Sequence, residues 1–553
     1  MMYRWLVLIA LMIALSACTS DSAERENVSS QAVSLQQGAV SGVASPYDAG
    51  ISVFRGLPYA AAPVGDLRWQ PPQSAPSWEG VRVADTFAES CHQPRHASNF
   101  VWRREDFPVS EDCLYLNVWA RNKAENLPIM VWFHGGAHIS GQSHSLLFDG
   151  TSLAQQGVMV VTINYRLGPL GFLAHPLLSE SSARGTSGNY GLMDKLKALA
   201  WIQENAKALG GDPGNVTVFG QSAGSQSVCS LLSSAHSEGL FHKAIGQSAG
   251  CVTPLSVADA NGYARGELLV QALGATSAAD LYNTAPDALL EAMVVSGWES
   301  DSRIVIDGDV LKQWPHQTYA SADQLPVPLM LGFLANEGEQ LFPVNHSLTD
   351  SDLMGFLTLV AGDSAQELKA LYASPGLTPG GIQHAISTDV FMAFGMQRWA
   401  EYHAEAGHNV YLYFMDHVPP AFHIYMPDQP YLELPDGPRS AGAYHSGDLA
   451  YVFGNTDKVG SDWSDDDHAL SKMLVRHWTN FAKTGDPNAP GELIWPAFNR
   501  HSLTTRVLNP TPRTVSGVKK RALEIFASRQ PFLSASIDRN AGRDFIVAYQ
   551  SFT

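Results

Sequence analysis

The pentapeptide Gly-Gln-Ser-Ala-Gly stands twice in this chain, at 220–224 and again at 246–250. Each copy has the G-x-S-x-G spacing in which a strained turn lifts a serine hydroxyl between a strand and a helix, the setting of a nucleophile. Only a copy flanked by an apolar strand and a helix start can work this way. Residues 216–219 precede the first copy as a β-branched and aromatic run. Residues 226–232 come after it, with Val228, Leu231 and Leu232 at helical spacing. The second copy comes after Ala244-Ile245 but runs into Cys251-Val252-Thr253-Pro254. Pro254 would fall inside the required helix, where its ring and missing N–H cost about 3 kcal/mol. The spacing therefore predicts Ser222 as a nucleophile and Ser248 as a structural serine.

A serine nucleophile in acyl transfer needs donors for the developing oxyanion, and a base with an acid behind it. Residues 129–133 read as a fully buried strand, and His134-Gly135-Gly136-Ala137 comes next, a loop whose small residues let backbone N–H groups come close. The residue after the nucleophile, Ala223, would supply a further donor. In this arrangement the acid and histidine come after the serine, on loops beyond later strands. Residues 327–333 read as one such strand, with Glu337 and Glu339 just after it. Residues 409–414 read as the next, succeeded by Asp416 and a long loop carrying His417, His423 and His445. Pattern alone leaves the acid open among Glu337, Glu339 and Asp416, and the base open among the three histidines.

Beyond these residues, the chain resembles the type-B carboxylesterases, the lipase, esterase and cholinesterase relatives. The resemblance runs through Phe54-Arg55-Gly56-Leu57-Pro58-Tyr59, Glu111-Asp112-Cys113-Leu114 and Asn164-Tyr165-Arg166-Leu167-Gly168. It continues through Gly188-Asn189-Tyr190-Gly191-Leu192-Met193-Asp194 and ends near Gly485-Asp486-Pro487 and Trp495-Pro496. It implies an α/β-hydrolase fold, a large mostly parallel sheet flanked by helices with helical insertions. It also implies a catalytic Ser222, Glu337 and His445, with oxyanion donors at Gly136, Ala137 and Ala223. Ser227 and Asp448 would stand behind them in supporting positions. Arg68 with Glu111, and Arg166 with Asp194, resemble the family's structural ion pairs, and Cys91 with Cys113 its first disulfide.

The implied activity is hydrolysis of carboxylic esters through an acyl-enzyme, with no cofactor or metal and a small ester as partner. A lipase, amidase or carbamate hydrolase of the same mechanism is the alternative. An inactive binding module on this fold would usually have lost one of the three catalytic residues. Departures from the family pattern are specific. Ala137 stands for a common third glycine, His138 for a common aromatic, and Gln221 for the glutamate often found before the serine. That glutamate helps hold a cation in choline-specific members, so Gln221 argues against a cholinesterase. Arg103 and Arg104 beside Trp102 would likewise repel a cationic ligand.

The first residues suggest export. Arg4 precedes an apolar run at 6–15, too short to span a bilayer and suited to a signal peptide over 1–17. Leu15-Ser16-Ala17-Cys18 looks like a bacterial lipobox, with acylation at Cys18 and a polar tether over 18–37. By family-level sorting rules, Thr19 points to the outer membrane. Four cysteines then remain, an even set for an oxidising compartment. Cys229 and Cys251 are the second candidate pair, with a buried free thiol at Cys229 as the alternative. A net charge of −18 disfavours nucleic acid. Residues 38–553 read as one α/β domain with helical insertions near 255–325 and 350–407.

Overall fold

The computed structural model describes residues 32–94, 108–252, 260–298, 303–338, 344–426, 432–434 and 437–535, with side chains described through 529. Cys18, Trp102, Arg103, Arg104 and Glu339 lie outside the described residues. Val33 and Ser34, inside the stretch expected to be tether, pair with Ala39 and Val40, and the Gln36 N–H donates to Asn205 Oδ1 at 2.8 Å.

An 11-stranded sheet organises the chain. Its strands are β1 (Val43–Ser45), β2 (Asp48–Pro58), β3 (Tyr115–Arg121), β4 (Leu127–Phe133), β5 (Met159–Ile163), β6 (Gly211–Gln221), β7 (Lys243–Gln247), β8 (Leu329–Leu334), β9 (Val410–Met415), β10 (Thr504–Leu508) and β11 (Arg513–Ser516). Their spatial order is β11-β10-β9-β8-β7-β6-β4-β5-β3-β2-β1. Every pair from β5 through β4, β6, β7, β8 and β9 to β10 is parallel, and antiparallel strands finish both edges.

Side-chain alternation divides the central strands between two cores, which is why they read as continuous apolar runs. Ile129, Val131, Phe133, Leu331 and Leu412 face one core, together with residues of α1 (Tyr190–Asn205), α2 (Ala223–Leu232) and α3 (Phe394–Glu405). Met130, Trp132, Met330 and Tyr413 face the other, together with Leu470, Leu474 and Trp478 of α4 (Asp465–Thr484). Each fully buried aliphatic side chain contributes about 1.5–3 kcal/mol, so a sheet covered on both faces makes a stiff platform. The insertion helices Tyr263–Leu273 and Pro286–Ser296 carry a third, smaller core with Leu170 and Phe172.

Two disulfides brace the platform, Cys91–Cys113 and Cys229–Cys251. Cys229 is therefore not a free thiol, and its bridge ties α2 to the segment leaving β7. Loop entropy makes each closure worth about 3 kcal/mol. The two expected ion pairs form as well, Arg68 with Glu111 at 2.5 Å and Arg166 with Asp194 at 2.7 Å.

Candidate active site

The first pentapeptide closes β6 and opens α2. Ser222 sits between them at φ 56° and ψ −124°, strained backbone for a residue with a side chain. Close approach explains the glycines on either side. A Cβ on Gly224 would run into the Phe133 carbonyl, and one on Gly220 would lie 2.6 Å from the Gly224 carbonyl oxygen. Tight contact between turn, helix and β4 therefore holds the serine up at the carboxyl end of the sheet, where open α/β sheets bind ligands.

The second pentapeptide lies beside the first. Gly220 pairs in register with Gly246, and Gln221 with Gln247. Ser248 also has a positive φ, 54°, but it is fully buried, and among the described residues no helix starts before Tyr263. Its hydroxyl has no hydrogen-bond partner among the described residues.

After β4 the chain turns sharply, with φ of 109° at Gly136, 54° at Ala137 and 57° at His138. The N–H groups of Ile139 and Ser140 turn inward onto the Gly136 carbonyl. Ala137 is exposed, and Gly136 and Ser222 are partly so, an opening above buried neighbours. Ala223 is the first residue of α2, where a backbone N–H has no acceptor within the helix.

Glu337 and His445 meet at the same edge. Glu337 lies just beyond β8, fully buried, with Oε1 accepting the Leu334 N–H at 2.8 Å and Oε2 lying 2.7 Å from His445 Nδ1. The two loops are tied directly. Asn336 and Tyr444 form a parallel bridge, the Asn336 N–H donates to the Ala443 carbonyl, and the Ala443 N–H donates to Asn336 Oδ1. Since a carboxylate only accepts, His445 carries its proton on Nδ1 and presents Nε2 as an acceptor.

The remaining sequence candidates fall elsewhere. Asp416 accepts from Asn509 and Arg513. His417 bonds Asp467 at 2.6 Å, and His423 is buried within the loop after β9. Asp467 also accepts from Arg439, Tyr451 and Ser464. Burial works against its charge, but the His417 and Arg439 hydrogen bonds win and hold its carboxyl well below the usual carboxylate range. This clamp fastens the loop bearing His445 to α4.

Ser227 and Asp448 support different parts of the site. Ser227 Oγ donates to the Ala223 carbonyl at 2.9 Å and lies 3.0 Å from His138 Nε2. Burial, with the nearby Lys195 and Arg303 charges adding, pushes the His138 ring well below the usual histidine range. A neutral His138 therefore donates to Ser227 and joins the turn after β4 to α2. Asp448 is buried, its Oδ2 accepting from Gln247 at 2.8 Å and from Tyr413 at 3.1 Å, while Oδ1 has no partner among the described residues. Burial raises its carboxyl to about 6, opposed by the Gln247 hydrogen bond and reinforced by the Glu337 charge.

Sequence reasoning missed several contributors. Gln221 Nε2 lies 3.0 Å from His445 Nε2. Lys195 is wholly buried, its Nζ 3.0 Å from the centre of the Tyr165 ring, and the Tyr165 hydroxyl donates to the His134 carbonyl beneath the turn. Lys195 carries no sequence signal, since its helix position is decided only by what packs over it. Gln247 had one, as the register twin of Gln221. Among the described residues, no group of three or more His, Cys, Asp or Glu side chains could hold a metal ion.

The Carboxylesterase family matches residues 29–366 and 380–526. Fumonisin B1 esterase of Sphingopyxis macrogoltabida is 34% identical over 483 residues, 84% of each chain. Para-nitrobenzyl esterase of Bacillus subtilis (strain 168) is 33% identical over 502 residues, covering 87% of this chain and 95% of its own. The crystal structure of a Geobacillus stearothermophilus carboxylesterase superposes with a TM-score of 0.77 at 30% identity. It covers 90% of this chain and 99% of its own.

Proposed function

This chain belongs to the carboxylesterase family and is a carboxylic ester hydrolase, and on that premise we propose that hydrolysis runs through an acyl-enzyme on Ser222. The observation that carries this reading is the 2.7 Å contact of His445 with Glu337 at the sheet edge where Ser222 is raised. His445 takes the Ser222 proton on Nε2 as Oγ attacks the ester carbon, then returns it to the departing alcohol. Glu337 holds the imidazole tautomer and stabilises the imidazolium. The N–H groups of Gly136, Ala137 and Ala223 receive the carbonyl oxygen as it becomes negative, each worth roughly 2.7–4 kcal/mol. Water then releases the acid by the same steps.

The substrate is a small ester. One relative is named for fumonisin B1 and another for para-nitrobenzyl esters, a spread that supports an ester panel as the first experiment. The panel includes both of these ester types, with acyl chains of graded length, glyceryl esters and matched amides. Preference for long glyceryl esters would make the enzyme a lipase, and turnover of the amides an amidase.

We also propose that Cys18 is acylated and tethers the enzyme to a membrane, most simply the outer membrane. The support is the sequence at 6–18 alone.

A further inference from the structure

We propose that Phe391 is a specificity-determining residue, an aromatic wall beside Ser222 that receives an aromatic group of the ester. The inference rests on Ser222 being the nucleophile, and it names a feature of the substrate that Ser222, Glu337 and His445 leave open.

Phe391 stands in a five-residue π-helix, Asp389–Ala393, which joins the helix Pro379–Thr388 to α3. Single π turns within α-helices are rare and occur frequently at functional sites. Buried side chains fix this one. The Asp389 carboxylate is enclosed and accepts from both the Tyr372 hydroxyl and Lys519 Nζ, which reach it from two other parts of the fold. Ile382 and Ile386 before the turn, with Ala393 and Phe394 at its end, pack into the core beneath the sheet. Phe391, between them, is 46% exposed.

The run of α3 along the sheet brings that ring to the end where Ser222 is raised. α2 and α3 lie side by side against β7. A Cβ added to Gly246 would come within 2.5 Å of Trp399 on α3 and 2.8 Å of Ser225 Oγ on α2. α3 runs against the strands. Near its last turn, His403 Nε2 lies 2.8 Å from the Val327 carbonyl, just before β8 begins. Near its first turn, the Gly395 carbonyl would lie 3.0 Å from a Cβ on Gly250, just past the end of β7. Ser222 stands at this same end, its N–H donating to the Gln247 carbonyl. The π-helix precedes Gly395, so it rises beyond the strand ends, next to the start of α2. It also packs against β8, the strand that leads to Glu337. Burial raises the Asp389 carboxyl against the pull of Lys519, and the nearby Glu337 charge adds to the rise. Phe391 is thus an open aromatic ring between the start of α2 and the loop bearing Glu337.

A phenyl ring in that position favours partners that can stack on its face or meet its edge, which a methyl group does less well. Such a wall separates substrates by their kcat/KM values. An ester has an acid half and an alcohol half, and either can carry the ring that Phe391 meets.

Two ester series, hydrolysed by the full chain and by its Phe391→Ala, Phe391→Leu and Phe391→Tyr variants, test this. One series keeps para-nitrophenol and changes the acid from acetate to benzoate. The other keeps acetate and changes the alcohol from methyl to benzyl. In at least one series the preference for the aromatic ester, as a ratio of kcat/KM values, should fall about tenfold in Phe391→Ala. Phe391→Tyr keeps the ring and should stay within about twofold of the wild type. The series that responds identifies the half of the ester that meets the wall. Unchanged ratios in both series, equal losses for aromatic and aliphatic esters, or a tyrosine variant that behaves like the alanine one overturn the proposal. Should the alanine variant not fold, the leucine variant decides, since it also lacks the ring. Hydrolysis surviving in Ser222→Ala would instead overturn the acyl-enzyme on Ser222, so the two failures are distinct.

Discussion

Gln221 and Gln247, the second residues of two identical pentapeptides, are register partners on adjacent parallel strands, and the Ser222 N–H donates to the Gln247 carbonyl at 2.8 Å. Each glutamine serves a different carboxylate-linked network. Gln221 reaches His445, while Gln247 donates to Asp448 and accepts from Trp478. Both serines have positive φ, so strain alone does not make a nucleophile. The chain beyond each serine separates them. Ser222 opens α2 beside an exposed turn, whereas Ser248 is enclosed and its strand runs on to a disulfide at Cys251.

Glu337 and His445 should behave as a unit in kinetics. His445→Ala should lower kcat roughly 10⁶-fold and Glu337→Ala roughly 10⁴-fold, with the double variant no worse than the histidine variant alone. Steady-state kinetics on one ester read this directly. Effects that multiply would show that the two residues act separately.

Asp448 gives a pH signature in stability. Its carboxyl titrates near 6 in the folded chain, above the ordinary aspartate value, because burial penalises the charge. Between about pH 4 and 6 the folded chain holds a proton that the unfolded chain has lost, so this residue's contribution falls as pH rises through that window. Asp448→Asn keeps a neutral group there at every pH. Its melting temperature should gain on the wild type between pH 4 and 7, and parallel curves would rule the effect out.

The His138 and Ser227 pair predicts non-additive stability. Ser227→Ala leaves the buried His138 N–H without its acceptor and should cost about 1–3 kcal/mol in urea unfolding. Adding His138→Phe removes the orphaned donor and should recover part of that loss. Simple addition of the two losses would show no coupling between them.

Cys18→Ser tests the anchor. Each buried CH₂ of an acyl chain contributes about 0.8 kcal/mol, so the wild type should sediment with membranes and the variant should not. Hydrolysis by a chain starting near Val33 should be unchanged. A wild type found fully soluble with an unmodified Cys18 thiol would remove the anchor.

Much of this site was legible because strand ends are. The apolar runs at 129–133, 216–219, 327–333 and 409–414 foretold β4, β6, β8 and β9, and with them the sheet edge that carries Ser222, Glu337 and His445. Pro254 separates the two pentapeptides by sequence alone. Choosing Glu337 and His445 needed family resemblance, because Asp416 and His417 have the same residue types at similar spacing. Only long-range pairing with Arg513 and Asp467 removes those two from contention. The pairing of Gln221 with His445 spans 224 positions, and no local pattern carries it.

Every step of the proposed chemistry depends on Ser222 forming the acyl-enzyme. Covalent labelling with an organophosphate, mapped by peptide mass spectrometry, puts that dependence to the test. A single adduct is expected on Ser222, with Ser222→Ala both unlabelled and inactive and Ser248→Ala labelled and active. An adduct on Ser248, or hydrolysis surviving in Ser222→Ala, would contradict it.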